Sequence, residues 1–170
     1  FRQVQSVLDI DLEELREFGI RGILLDLDNT LLAWDNLVLS DEVQNWVRRA
    51  TDLGFRLCIV SNAHWMRLET QSVVLGIPYI PAAMKPSTKA MRKALEMLGL
   101  KTHQATMVGD QVFTDVLGGN RLGLFTILVV PLFLKEQWWM RGVLWMESRV
   151  VRAFQGRGRR VWRGRAVPPR

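Results

Sequence analysis

Short, mainly apolar runs alternate with helical patterns along the first 130 residues of the chain. Runs bounded by polar turn residues predict strands buried on both faces, and these lie at 23–27, 55–60, 77–80, 105–108 and 125–130. Apolar residues that recur every three or four positions predict helices at 10–18, 41–53, 64–75 and 88–98. Because strands that alternate with helices form βαβ units, the pattern predicts an α/β protein with a doubly wound, Rossmann-like and mostly parallel sheet of five strands.

Two acids interrupt and follow the central predicted strand, in the segment ILLDLDNTLL at 23–32. Residues i and i+2 of an extended chain point to the same side, so we expect the carboxylates of Asp26 and Asp28 to lie close together. Two such charges repel unless a divalent cation bridges them or one carboxyl keeps its proton. A buried strand followed by an Asp-Asn turn would explain the same residues without any catalytic or metal-binding role. The other strand ends decide between these interpretations.

Polar side chains also follow the other predicted strands. Ser61 and Asn62 follow the second strand, Lys85 comes after the third, and Asp110 and Asp115 come after the fourth. The carboxyl ends of parallel strands meet at one edge of a sheet, so we expect these groups to form one site. Oxygen ligands without clustered His or Cys favour Mg²⁺ over zinc. The combination predicts phosphoryl transfer in which one carboxylate attacks phosphorus and a second exchanges protons.

Four of these segments resemble the motifs of a known enzyme superfamily. DLDNT at 26–30, Ser61, Lys85 and GDQVFTD at 109–115 resemble, in order and spacing, the four motifs of the haloacid dehalogenase (HAD) superfamily of phosphatases. The stretches 6–32 and 109–123 are similar to its class IIIA, YqeG-type group, which is related to mitochondrial and plastid phosphatidylglycerophosphatases. The resemblance implies a phosphomonoesterase that converts phosphatidylglycerophosphate to phosphatidylglycerol at a membrane surface.

The resemblance also implies the residues that carry the chemistry. Asp26 is the expected nucleophile, which forms an aspartyl-phosphate, and Asp28 is the expected general acid and base. The Mg²⁺ ligands are expected to be Asp26, Asp110 and Asp28, the last through its main-chain carbonyl. No cap domain is expected, because the space for one after the first motif is limited to 33–40. The site is therefore expected to be open to a substrate whose bulk lies outside.

Five further positions are expected to bind phosphate or to support the site. The resemblance assigns the phosphate-binding hydroxyl to Ser61 and the charge-balancing lysine to Lys85. Thr30 fits the pattern of phosphatase members, and Asn62 is expected to touch phosphate or substrate through its amide. Asp115 is expected to order Lys85 or a metal-bound water.

Composition divides the chain into a body and a basic extension. Of the 170 residues, 48% are hydrophobic, which fits one folded domain with a sizeable core. Residues 1–130 carry a net charge of −2, whereas residues 131–170 carry +8. We predict a HAD-like phosphatase domain at 1–130, an amphipathic helical extension at 131–155, and a basic, disordered tail at 156–170.

The predicted helix at 136–155 combines an apolar face with tryptophan and arginine side chains. This composition is typical of helices that lie at the surface of an anionic membrane, and packing of the apolar face on the α/β body is an equal alternative. No apolar stretch approaches the ~20 residues that span a bilayer, and Cys58 is the single cysteine. We expect a cytoplasmic or organelle-matrix protein that is peripheral on the inner face of a membrane.

Two alternatives to a lipid phosphatase remain at this point. The first is a phosphatase of soluble nucleotide or sugar phosphates or of nucleic-acid ends, which an open site and a basic tail also permit. The second is a non-catalytic module that binds RNA or protein, because tails rich in Gly and Arg bind RNA. The complete set of motif residues favours an enzyme, and we retain the lipid phosphatase as the first hypothesis.

Overall fold

A computed structural model describes residues 1–33 and 35–132, and in these residues six parallel strands form one sheet. The strands are β1 (Arg2–Val4), β2 (Gly22–Leu25), β3 (Arg56–Val60), β4 (Tyr79–Ile80), β5 (Ala105–Gly109) and β6 (Phe125–Val129). Their order across the sheet is β1-β6-β5-β2-β3-β4. The predicted doubly wound α/β fold is confirmed, with one strand more than the expected five.

The additional strand is β1, which lies at one edge of the sheet and pairs with β6. Val4 lies opposite Val129, and Arg2 lies opposite Ile127. The segment has three residues, of which two are polar, so its sequence carries no apolar run or alternation that would predict a strand. The segment is a strand because it pairs with β6, and not because of its local sequence pattern.

Helices cover both faces of the sheet, and the four predicted helices begin close to their expected positions, whereas the helix at Leu117–Leu122 has no predicted counterpart. The helices are α1 (Leu12–Glu17), α2 (Asp41–Asp52), α3 (Trp65–Leu75), α4 (Lys89–Leu98) and α5 (Leu117–Leu122), with 3₁₀ turns at Val7–Asp9 and Thr102–Gln104 and a π-helical turn at Val112–Val116. Ser40 caps α2, because its hydroxyl accepts a hydrogen bond from Val43 N at 3.3 Å. Asp11 caps α1 in the same way through Glu14 N.

The strand β2 lies in the interior of the sheet, between β3 and β5, and all four of its residues are buried. Ile23 and Leu25 pack in the cluster that includes α1, α2 and α3, whereas Leu24 packs in the cluster that includes α4 and α5. This alternation is the two-residue period of a strand covered on both faces. Because β2 is buried on both sides, its carboxyl end, and with it Asp26, has a fixed position in the sheet.

The connections after β2 and β3 are short in the described residues. Residues 26–40, Trp34 apart, form a loop, and residues 61–78 contain α3. Neither connection holds an inserted cap in this part of the chain, as expected. The predicted helix at 136–155 and tail at 156–170 lie outside the described residues. Within the described ranges, no helix has the length and apolarity to cross a bilayer.

Candidate active site

A buried lysine joins two carboxylates at the carboxyl edge of the sheet. Lys85 Nζ donates hydrogen bonds to Asp26 Oδ1 and to Asp115 Oδ1, both at 2.6 Å. The lysine side chain is 2% exposed. Burial alone would lower the pKa of Lys85, but Asp115 and Asp26 together outweigh it and raise the pKa to about 12. The ammonium group is therefore charged at neutral pH and fixes both acids.

Asp115 is held on both of its oxygens. Its Oδ1 binds Lys85, and its Oδ2 accepts a hydrogen bond from Gln111 N at 3.1 Å. Gly109 leaves the space that this carboxylate needs, because a Cβ at position 109 would overlap it. Burial raises the pKa of Asp115, and Lys85 opposes the rise. With both oxygens engaged, Asp115 is suited to orient Lys85, the supporting role that the resemblance implies.

Asp110 has the features expected of a cation ligand. Its Oδ1 is buried and has no hydrogen-bond partner in the described residues. Carboxylate oxygens of Asp26, Asp110 and Asp115 lie within 4.8 Å of one another. Burial raises the pKa of Asp110 to about 8, and the negative charges of Asp26 and Asp115 add to the rise. A buried carboxylate oxygen without a donor is unfavourable unless a cation binds it, so these residues fit a divalent cation.

The donor set also bears on the kind of cation. Among the described residues the cluster consists of carboxylates without His or Cys, and oxygen ligands of this kind suit Mg²⁺. Because Asp115 is engaged on both oxygens, Asp110 and Asp26 are the side-chain groups left to bind an ion. The carboxylate of Asp28 is not part of this cluster, so its expected contribution rests on its main-chain carbonyl.

Asp28 pairs instead with Arg67, a residue that the sequence did not single out. Arg67 Nε donates to Asp28 Oδ1 at 2.8 Å, and a second guanidinium nitrogen donates to Ala33 O at 3.2 Å. Burial raises the pKa of Asp28, the Arg67 charge opposes the rise, and Asp26 adds to it. One signal could have found Arg67: it lies in the first turn of α3, where the helix dipole disfavours a cation. A charge placed against that dipole indicates a partner elsewhere in the fold.

Three of the four predicted phosphate-binding residues, Ser61, Asn62 and Lys85, line a small pocket of about 270 Å³. It is lined by Asp26, Asp28, Asn29, Ser61, Asn62, Ala63, Lys85, Gln111 and Thr114. The hydroxyl of Ser61 is buried and accepts a hydrogen bond from Ala63 N at 3.2 Å. Asn62 Oδ1 accepts from Lys85 N at 2.9 Å, so this side chain positions the loop that carries the lysine.

Thr30 is the one predicted phosphate-binding residue that the structure does not bring to the pocket wall. Its hydroxyl is buried without a hydrogen-bond partner in the described residues. Asn29 adopts a left-handed conformation, with φ of 60°, which turns the chain directly after Asp28. Asn29 consequently lines the pocket in place of Thr30. Gln111 and Thr114 are further lining residues that the sequence did not single out.

The arrangement provides the parts needed to transfer a phosphoryl group. The Lys85 ammonium group holds the Asp26 carboxylate in position through Oδ1, and the second oxygen of Asp26 is available to attack phosphorus. An ammonium group has three donors, and Lys85 uses two of them on Asp26 and Asp115, which leaves a third for a phosphoryl oxygen. Asp28 lies at the pocket with its side chain 20% exposed, so it can exchange protons with a bound molecule or with solvent.

Comparison with known proteins identifies the family. Residues 82–130 match the family model Hydrolase_like, described as HAD-hyrolase-like. The chain is 38% identical to the probable phosphatase YqeG of Bacillus subtilis (strain 168), over 94% of this chain and 92% of that protein. The chain belongs to the HAD superfamily of phosphatases. The predicted superfamily and its YqeG-type group are thereby confirmed.

A more distant relative by sequence and a solved structure are also similar to this HAD chain. It is 27% identical to phosphatidylglycerophosphate phosphatase 1, chloroplastic/mitochondrial, of Arabidopsis thaliana, over 79% of this chain and 41% of that protein. The cobalt-bound deoxy-D-mannose-octulosonate 8-phosphate phosphatase YrbI of Haemophilus influenzae superposes with a TM-score of 0.52 at 14% identity, over 84% of this chain and 92% of that one. At this identity the second comparison supports the HAD fold alone.

Proposed function

We propose that this HAD phosphatase is a magnesium-dependent phosphomonoesterase that works through an aspartyl-phosphate and converts phosphatidylglycerophosphate to phosphatidylglycerol at a membrane surface. One observation carries the catalytic part of the proposal: Asp26 is fixed by Lys85 beside Asp110, whose buried oxygen has no partner in the described residues. The oxygens of the proposed nucleophile and of the proposed cation ligand therefore lie within 4.8 Å of each other.

The first half of the reaction uses Asp26 and Asp28. A free carboxylate oxygen of Asp26 attacks phosphorus, the bond between phosphorus and the leaving oxygen breaks, and Asp28 gives its proton to that oxygen. Lys85 and the Ser61 hydroxyl stabilise the charge on the remaining phosphoryl oxygens. A divalent cation bound by Asp26 and Asp110 would supply further positive charge to those oxygens.

The second half reverses the proton movement. Asp28, now a carboxylate, takes a proton from water as the water oxygen attacks phosphorus, and the bond between phosphorus and Asp26 breaks. Inorganic phosphate leaves, Asp26 is a carboxylate again, and Asp28 carries the proton for the next cycle. Arg67 keeps Asp28 at the pocket through both halves, because its contact with Ala33 O ties the guanidinium to the loop after β2.

Two observations support a lipid substrate. The pocket volume of about 270 Å³ lies just below the range of roughly 300–1,000 Å³ that is typical of sites enclosing a small molecule. A pocket of this size accommodates the phosphate end of a lipid headgroup. The Arabidopsis relative, by its name, acts on phosphatidylglycerophosphate, and that protein shares 27% identity with this chain.

The test compares phosphate release from phosphatidylglycerophosphate in detergent with release from nucleotides and sugar phosphates, with MgCl₂ or EDTA. We expect the lipid to have the highest kcat/KM and EDTA to abolish turnover. Asp26→Asn is the inactive control, because it keeps the shape of the side chain and removes the nucleophile. A higher kcat/KM for a soluble phosphate would overturn the lipid assignment. Absence of turnover on every phosphate, including p-nitrophenyl phosphate, would overturn the enzymatic one.

A further inference from the structure

Large apolar side chains are exposed on segments that adjoin the pocket. We call this set the apolar rim, and it consists of Trp65, Met66, Met84, Phe113 and Leu132. Trp65 and Met66 begin α3, which is separated by one residue from the lining segment 61–63, and Met84 precedes Lys85. Phe113 is adjacent to the lining residue Thr114. These residues come from separate parts of the chain, and each follows the carboxyl end of a strand, which is the edge of the sheet that carries the site.

Met84 is exposed in the apolar rim although its backbone conformation is energetically unfavourable. Its side chain is 77% exposed, whereas the next residue, Lys85, is buried in the site. Both Ala82 and Met84 adopt left-handed backbone conformations, with φ of 47° and 51°, which are unfavourable for residues other than glycine. Ala82 N donates to Ala63 O at 3.3 Å, which ties this loop to the segment before Trp65. The loop thus holds an apolar side chain outward beside the mouth of the pocket.

The basic end of the chain departs from the same edge. Leu132 N donates to Asn29 O at 3.0 Å, and Asn29 lines the pocket. The residues that follow Leu132 have a net charge of +8. An exposed apolar rim beside the start of a strongly cationic segment is complementary to a surface that is apolar inside and negatively charged outside. An anionic lipid bilayer has this chemistry.

We infer that the apolar rim inserts into the interface of an anionic lipid bilayer and places the mouth of the pocket against the lipid headgroups. The inference rests on the proposed function in one respect: a lipid phosphate can reach Asp26 while its acyl chains stay in the bilayer only if this edge of the protein faces the membrane. Aromatic and methionine side chains supply the apolar contact at headgroup depth.

Site-directed fluorescence tests the inference in the full-length chain. The native thiol does not interfere, because Cys58 is buried and burial raises its pKa to about 12. Met66→Cys and Met84→Cys are each labelled with the environment-sensitive fluorophore NBD. Val73→Cys is the matched control: it has the same 77% exposure as Met84 and lies about 10 Å along α3 from Met66, towards the opposite end of the helix.

The labelled proteins are mixed with vesicles of phosphatidylcholine and phosphatidylserine, and with vesicles of phosphatidylcholine alone. We expect a blue shift and a gain in intensity at positions 66 and 84 with the anionic vesicles, and little change at position 73. An equal response at all three positions, or none at 66 and 84, would overturn the inference. So would a blue-shifted signal at 66 and 84 before vesicles are added that stays unchanged afterwards, since the rim would then be covered by protein.

Enzyme assays separate this inference from the proposed function. In the double variant Met66→Ser with Met84→Ser we expect unchanged hydrolysis of p-nitrophenyl phosphate and of monomeric short-chain phosphatidylglycerophosphate. Hydrolysis of the same lipid in anionic vesicles should fall about 10- to 100-fold, because two exposed apolar side chains no longer enter the interface. An unchanged vesicle rate would overturn rim insertion and leave the function standing. A fluorescence response without turnover of either lipid form would overturn the function and leave insertion standing.

Discussion

Two groups of ion pairs serve the same pocket in different surroundings. The inner group, Lys85 with Asp26 and Asp115, has side chains that are at most 7% exposed. The outer pair, Asp28 with Arg67, has side chains that are 20% and 24% exposed. Buried charges are shielded from water, so their stability depends on their ion-pair partners. Partly exposed charges are also stabilised and screened by solvent. The inner group is therefore suited to hold a nucleophile in place, and the outer pair is suited to gain and lose a proton.

The largest expected effect is the loss of activity in Asp26→Asn. The amide keeps the shape of the side chain but cannot form the aspartyl-phosphate, so hydrolysis of p-nitrophenyl phosphate should fall by about 10⁴-fold or more. The comparison variant is Asp28→Asn at the outer pair, where loss of acid–base catalysis should cost about 10²- to 10⁴-fold. A smaller loss for Asp26→Asn than for Asp28→Asn would contradict the assignment of the nucleophile.

Removal of the inner cation should have the largest effect on stability. Lys85→Met leaves Asp26 and Asp115 buried beside each other without their shared partner, so the free energy of unfolding should fall by about 3–5 kcal/mol. Urea titration at neutral pH measures the loss. Lys85→Met combined with Asp26→Asn and Asp115→Asn is the control, since a site without the two charges should recover part of the stability. Lack of any recovery would show that lost packing, not charge, causes the effect.

Asp110 should make the metal-free protein sensitive to pH. Its folded pKa of about 8 lies above the ordinary value of 3.8, so the folded state binds a proton that the unfolded chain releases. This contribution to stability is complete below the unfolded pKa and is lost as pH rises to about 8, at up to about 1.4 kcal/mol per pH unit. In EDTA, Tm should therefore fall between about pH 6 and pH 8.

Magnesium and Asp110→Asn provide the two controls for the pH effect. Mg²⁺ favours the charged carboxylates, so its stabilising effect should be greater at the higher pH. The Asn variant lacks the titrating group, and the fall in Tm should become shallower. A slope equal to that of the unsubstituted protein would assign the titration to a different residue.

Gly109→Ala should disturb the inner group without removing a charge. The added methyl group would overlap the Asp115 carboxylate, and overpacking of this kind costs about 1–3 kcal/mol. The displaced Asp115 would also release Lys85, so activity should fall together with stability. Asp115→Asn is the reference for a double-mutant cycle: if both substitutions act on the same contact, their combined cost should be smaller than the sum of the two.

The inner group could be predicted from sequence, whereas the contact between Asp28 and Arg67 could not. Asp26, Lys85 and Asp115 follow strands whose ends must meet because all strands of the sheet are parallel, so their convergence follows from chain order. The pairing of Asp28 with Arg67 depends on the left-handed turn at Asn29 and on how α3 lies against the loop after β2. Such long-range packing leaves little local signal, as also holds for the pairing of β1 with β6.

The smallest expected effect on stability belongs to Arg67→Met at the outer pair. The pair is partly exposed and screened by water, so the free energy of unfolding should change by about 1 kcal/mol or less, well below the effect of Lys85→Met. Activity should nevertheless fall about 10- to 100-fold, mainly in kcat, because Asp28 loses the group that orients it for proton transfer. Arg67→Lys should restore part of kcat by returning the charge. A rise in KM with unchanged kcat would instead show that Arg67 binds substrate directly, and the outer pair would then belong to recognition and not to proton transfer.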